Sequence, residues 1–121
     1  MSPDELQALI EDATYDYVSG EVQPALEKLG RATAEAPDSF EAWHATAEIN
    51  FSLRKLDEAL AAADRAHALR KSDPLVIATL SRIWMERGDK ATAERYGAMA
   101  RMQGWKEELS APPSADAGGL H

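Results

Sequence analysis

The sequence predicts an all-α fold, a solenoid of three antiparallel helical hairpins, and three observations carry that expectation. First, the chain matches itself when shifted by 34 residues, giving units 6–39, 40–73 and 74–107 without gaps; a fixed period in the 20–50 residue range is the signature of a repeat architecture. Second, each unit holds two segments in which apolar residues recur at helical spacing. Third, small residues stand in columns where the two helices of a hairpin would touch. The columns are Ala25, Ala59 and Ala93; Ala32, Ala66 and Ala100; Ala13, Ala47 and Ser81; and Leu29, Ala63 and Gly97. Small side chains at a crossing let two backbones approach to the ~8–10 Å of packed helices. Larger columns complete the repeat: Leu9, Trp43 and Ile77; Tyr15, Ile49 and Ile83; Tyr17, Phe51 and Met85.

Boundary residues place the helices near 3–18, 23–35, 40–53, 57–70, 74–87 and 90–103. Ser2, Pro3 and Glu5 open the first, with Ser as cap, Pro as first helical residue and Glu three after the Ser. Gly20 supplies the turn inside the first hairpin. Asp38 or Ser39 caps the third helix, with Glu41 completing a box from Asp38. Asp73-Pro74 opens the fifth, Gly88 marks the turn after it, and Asp89 caps the sixth. Gly104 suits a left-handed C-terminal cap, after which Trp105 would fold back on the last turn. Residues 108–121 are rich in Pro, Gly, Ala and Ser and poor in apolar anchors, which predicts a disordered tail.

These columns resemble the tetratricopeptide repeat (TPR) family, whose pattern runs W-x-x-L-G-x-x-Y, then Ala, an apolar or small residue, Ala, and a closing Pro. The second unit matches with Trp43, Ala47, Ala59, Ala63 and Ala66. The first matches with Ala13, Gly20, Ala25, Leu29, Ala32 and Pro37, and the third with Leu80, Ser81, Gly88, Ala93, Gly97 and Ala100. The resemblance covers residues 6–107 and implies a right-handed α-solenoid. The chain departs from the pattern at Asp12 and Thr46, where the family prefers Leu, and at Asp16 and Asn50, where it prefers Tyr. Lys71 and Trp105 stand in place of the closing Pro.

Composition narrows the function. Charged residues at 28% and hydrophobic residues at 45% suit a folded chain rather than a disordered one. The absence of cysteine excludes disulfides, thiolate metal sites and a cysteine nucleophile. The acidic N-terminus lacks the apolar run of a signal peptide and no stretch approaches the ~20 apolar residues of a membrane span, so the expected location is cytoplasmic. A net charge of −8 argues against nucleic acid, which like charge would repel. The charge is uneven: residues 1–40 hold nine acids and two bases, whereas residues 74–107 hold four acids and six bases.

In the family it resembles, the first helices of successive units line a concave groove that holds a peptide or helix of a partner. Carried over by column, the groove would be lined by Ile10, Thr14, Tyr17 and Val18, then Glu41, His44, Glu48, Phe51 and Ser52, then Ala78, Arg82, Met85 and Glu86. Two readings of Tyr17, Phe51 and Met85 stand at this point: an apolar stripe offered to a partner, or side chains packed between neighbouring helices. Many family members clamp acidic C-termini with Lys, Arg and Asn. The corresponding positions here are Ile10, Thr14, His44, Glu48, Ala78 and Arg82, of which only Arg82, with His44 second, suits a carboxylate. Glu11, Glu41 and Glu48 favour a partner segment of mixed or basic charge.

Further signals concern the ends and the chemistry. Leu26 and Leu60 share a column that in the family packs onto the following unit. In the last unit that column holds Glu94, and the companion column Thr33, His67 and Arg101 ends in a base, so the array is expected to stop at three units with a polar end. Met99, Met102 and Trp105 cluster there, with the methionines expected beneath Trp105 or the tail. Glu41, His44 and Glu48 share one helical face, but a carboxylate-bridged metal site needs several helices contributing. They read as charge pairing, and no cofactor or metal is expected. The sequon Asn50-Phe51-Ser52 falls inside a helix. The leading functional expectation is a protein–protein interaction scaffold, not an enzyme. Two alternatives are a module that self-associates head to tail, acidic front on basic rear, and a small dedicated chaperone for a secreted or assembly subunit, since three-repeat chaperones of bacterial secretion systems are similar in size.

Overall fold

The computed structural model describes residues 1–110. They form six α-helices and, among the described residues, no strand: α1 (Pro3–Val18), α2 (Val22–Glu35), α3 (Phe40–Ser52), α4 (Leu56–Leu69), α5 (Pro74–Glu86) and α6 (Lys90–Ser110). Helices α1 and α2, α3 and α4, and α5 and α6 pack as antiparallel hairpins, and the hairpins stack in order into a TPR-like solenoid.

The starts of α1, α3, α5 and α6 are fixed by side chains that satisfy free N–H groups, whereas α2 and α4 start without a side-chain cap. The Ser2 hydroxyl accepts from the Glu5 N–H at 3.1 Å while the Glu5 carboxylate accepts from the Ser2 N–H at 3.3 Å. At α3 the cap is Ser39 rather than Asp38, accepting from the Ala42 N–H at 3.2 Å. Asp73 accepts from the Leu75 N–H at 2.9 Å, and Asp89 from the Thr92 N–H at 3.0 Å. The inner turns repeat one motif three times. Gly20, Arg54 and Gly88 occupy one repeat column and take φ of 89°, 64° and 89°. After each, an N–H reaches back five residues: Glu21 to Asp16 at 2.7 Å, Lys55 to Asn50 at 2.9 Å, Asp89 to Trp84 at 3.0 Å. This is a Schellman closure, in which a left-handed residue ends the helix and returns the chain. Glycine adopts it freely; Arg54 does so at a cost of about 1–2 kcal/mol.

The small-residue columns lie where the helices cross. Ala25, Ala59 and Ala93 are fully buried, as are Ala13, Ala47, Ala32, Ala66 and Ala63, with Leu29 at 1%. In the third unit Ser81 replaces the alanine, and its hydroxyl donates to the Ala93 carbonyl at 2.8 Å. The largest core cluster joins the second and third hairpins, with Val76, Ile77, Leu80 and Ile83 packed on Ala59, Ala62, Ala63 and Ala66. Burying each large aliphatic contributes about 1.5–3 kcal/mol. Leu60 packs onto this cluster from α4, and Leu26 packs with Ala13, Leu29 and Ile49, so both face the following hairpin as expected. Stacking also explains a contrast within one column. Ile49 and Ile83 are buried against the preceding hairpin, while Tyr15, with no hairpin before it among the described residues, is 72% exposed.

The rear end departs from expectation. Helix α6 does not stop at Gly104 but runs on to Ser110, and Trp105 does not fold back: it is 69% exposed. A glycine inside a helix costs only about 1 kcal/mol relative to alanine, and the good helix formers Lys106, Glu107, Glu108 and Leu109 carry α6 past it. The methionines are accordingly not sheltered: Met99 and Met102 are exposed. Glu94 and Arg101 form an ion pair at 2.7 Å across the end of the stack. Of the tail expected over 108–121, residues 108–110 belong to the last turn of α6, and residues 111–121 lie outside the described residues.

Candidate functional site

The curvature of the stack follows from which helices meet. Helix α1 packs on α3 and α3 on α5 with their backbones close together, whereas the backbones of α2, α4 and α6 stay further apart, α4 meeting α6 only through side chains such as His67 and Tyr96, whose ring centroids are 6.1 Å apart, among the described residues. The first helices therefore crowd together on one side, and that side is the inner face. It is the face on which the family resemblance places a groove.

Nine of the expected groove residues fall into four groups. Thr14, Ala78 and Met85 are exposed and unencumbered, apart from the Thr14 hydroxyl donating to the Ile10 carbonyl at 3.0 Å. Tyr17 and Phe51 are half-buried and belong to both readings: Tyr17 packs on Ala13, Leu29 and Ile49, and Phe51 on the main core cluster. Ile10 is different. It is 8% exposed and packs with Ala32 and Ala42, beneath the inner face rather than on it. The reason is its register: it meets α3 where Ala42 and Ala45 leave room for a large aliphatic. Its repeat partners His44 and Ala78 stay nearer the surface.

His44, Glu48 and Arg82 are brought into one hydrogen-bonded network with a residue the sequence did not single out, Thr79. Thr79 is 1% exposed. Its Oγ1 lies 2.6 Å from Glu48 Oε2 and 2.9 Å from the Leu75 carbonyl, two acceptors for its proton. The same oxygen is 3.3 Å from His44 Nε2 and 3.2 Å from an Arg82 guanidinium nitrogen. Arg82 also donates to Glu48 Oε2 at 2.5 Å, and its guanidinium sits 5.1 Å from the centre of the Phe51 ring. His44 stacks on Phe40 with centroids 5.5 Å apart and planes 12° from parallel. The network thus fastens α3 to α5 across the inner face and fixes the rotamers of its members. A buried threonine mid-helix in an apolar run was the only signal of it in the sequence.

Three glutamates of this face are each met by an arginine. Arg70 donates to Glu41 at 3.0 Å and lies 4.5 Å over the Phe40 ring; Arg54 donates to Glu86 at 2.9 Å; Arg82 takes Glu48. These are mostly exposed pairs, worth little individually for stability. Their effect is to leave the inner face near neutral despite its glutamates. Asn50, the asparagine of the sequon, is buried and donates to the Thr46 carbonyl at 2.9 Å. No helix among the described residues is long and apolar enough to cross a membrane.

No protein-family model matches the chain, and no curated protein matches it in sequence. Solved structures do match in fold. The chain is similar to the Yersinia enterocolitica type III secretion translocator chaperone SycD, in a crystal structure of an alternative dimer, with a TM-score of 0.78 at 17% identity over 84% of this chain and 77% of that one. It is likewise similar to a chain of the CopN-Scc3 complex, with a TM-score of 0.78 at 15% identity over 99% of this chain and 66% of that one. These likenesses establish the architecture: an all-α, TPR-like solenoid of helical hairpins.

Proposed function

We propose that this protein is a partner-binding adaptor whose inner face, formed by α1, α3 and α5, holds a segment of another protein. The observation that carries the reading is the combination of open and locked positions on that face. Thr14, Ala78 and Met85 are exposed contact positions, and beside them His44, Glu48, Thr79 and Arg82 are held in fixed rotamers by their mutual hydrogen bonds. A surface ordered before binding loses less entropy on binding, which raises affinity without new contacts.

The pairing of Glu41, Glu48 and Glu86 with arginines supports a segment of mixed charge with an apolar anchor rather than a strongly basic one. The anchor would sit at Met85, 49% exposed, in the repeat column that also holds the half-buried Phe51. Met is an adaptable contact residue. The likeness of fold to a translocator chaperone favours a more specific second reading, in which the bound protein is a client kept from aggregating until it is handed on.

The test is site-specific photo-crosslinking in the cells that make the protein. A photoreactive residue at Met85 or Ala78 should give a discrete adduct with one protein, and the same residue at Ala61, on the exposed face of α4, should not. Equal adducts from both faces, or none from the inner one, would remove the groove assignment.

A further inference from the structure

Helix α6 is 21 residues long against 13 for α5, so at ~1.5 Å per residue it outruns its hairpin partner by about 12 Å. Its packed side carries Ala93, Tyr96 and Ala100. Its outer side carries Ala98, Met102, Trp105 and Leu109, with Met102, Trp105 and Leu109 exposed by 56%, 69% and 81%. These four are spaced four, three and four apart, which keeps them in one line along the helix. Ala98, Arg101, Met102 and Trp105 line an open slot of about 430 Å³ on this side. A line of large apolar side chains exposed together suits an interaction surface.

We infer that this seam pairs with the same seam of a second copy of the chain, antiparallel and about a two-fold axis. The pattern is symmetric about its own midpoint, between Gln103 and Gly104. Antiparallel pairing then sets Met102 opposite Trp105 of the second copy, and Ala98 opposite its Leu109. Each layer matches a smaller residue with a larger one, and the leucine enters the slot that Ala98 leaves open. An isologous contact requires this self-complementarity, in which each residue meets a different residue of the mate and is met by it in turn.

The flanking charges agree. In an antiparallel pair the residues just before the seam positions face their counterparts on the same edge. Those residues are Arg101 and Glu108, so Arg101 of each copy faces Glu108 of the other, giving two opposite-charge contacts. On the other edge Met99 meets the stem of Lys106. Parallel pairing would instead bring Arg101 toward Lys106 of the second copy, a like-charge contact. The Glu94–Arg101 pair must open for this, and both partners are 68% exposed, so the exchange costs little. The seam spans only about 17 Å. That is less than a standard interface of ~1,600 Å² requires, so the dimer is weak and concentration-dependent. This closed, rear-to-rear geometry differs from the open head-to-tail stacking that the charge distribution alone suggests, and it does not depend on the inner face.

Sedimentation equilibrium of the full chain across a concentration series tests it. Wild type should fit a monomer–dimer equilibrium with no larger species. Trp105→Ala should abolish the dimer, with its helical circular dichroism unchanged. Arg101→Glu and Glu108→Arg should each weaken the dimer about tenfold, and the two together should restore it. A chain that remains monomeric at its solubility limit overturns the inference. So does a dimer indifferent to Trp105→Ala, a series of species growing beyond dimer, or a charge swap that fails to restore pairing.

Discussion

Replacing Thr79 by valine removes one oxygen and keeps the shape, and it isolates what the network across α3 and α5 contributes. Thr79 is 1% exposed, so no water replaces the lost hydroxyl. The hydroxyl lies 2.6 Å from a carboxylate oxygen, and a hydrogen bond to a charged partner is worth about 1.5–3 kcal/mol. Part of that is recovered. The Glu48 side chain is 36% exposed and keeps Arg82, so it can turn to solvent, and the Leu75 carbonyl keeps its helical bond. The net loss should be about 1–2 kcal/mol, or roughly 5–10 °C in Tm for a domain of this size. Thermal unfolding followed by circular dichroism at fixed protein concentration reads it. Combining Thr79→Val with Glu48→Gln should cost less than the sum of the two, with a coupling of about 1 kcal/mol, because both act through one contact. Additive effects, or a Thr79→Val protein as stable as wild type, would refute the argument that the hydroxyl ties the two hairpins together.

Other outcomes follow from the same structure. Gly88→Ala should lower stability by about 1–2 kcal/mol in chemical denaturation, because φ of 89° is strained for any side chain. Gly30→Ala, inside α2 with nothing within 4 Å of the added methyl, should raise stability by about 0.5–1 kcal/mol; a fall there would contradict the helical assignment. The Asp89 carboxylate is held below its usual pKa of 3.8 by the Thr92 N–H and hydroxyl, so its contribution is present at neutral pH and is lost as pH falls through the folded value. Asp89→Ala should thus lower Tm at pH 7, and the gap to wild type should narrow progressively as the pH of the melt is lowered below 3.8.

Much of this fold could be read from the chain because its determinants are local or periodic. Ser2, Ser39, Asp73 and Asp89 are caps whose partners lie two or three residues away. The alanine columns mark helix crossings because only small residues fit there. What escaped has a different physical origin. Arg54 takes a left-handed turn that its side chain does not advertise, forced by the same closure that Gly20 and Gly88 adopt freely. Thr79 gains its role from residues 31 and 35 positions earlier, a contact no local pattern encodes. The repeat column alone places Ile10 in the groove, yet the alanines opposite it draw it into the core. Gly104 before Trp105 predicts a helix stop and a fold-back that the structure does not show. A glycine permits such a stop without enforcing one, and the residues beyond it favour helix.

If the inner face holds a partner segment, a steric block placed there displaces it. Ala78→Arg with Met85→Arg fills exposed positions on that face without touching the core, and Ala61→Arg on α4 serves as the matched control. Quantitative affinity capture from the cells that make the protein should recover one partner with wild type and with Ala61→Arg. The inner-face variant, folded by circular dichroism, should lose that partner. Capture of the same partner at undiminished yield by the blocked protein would contradict the account.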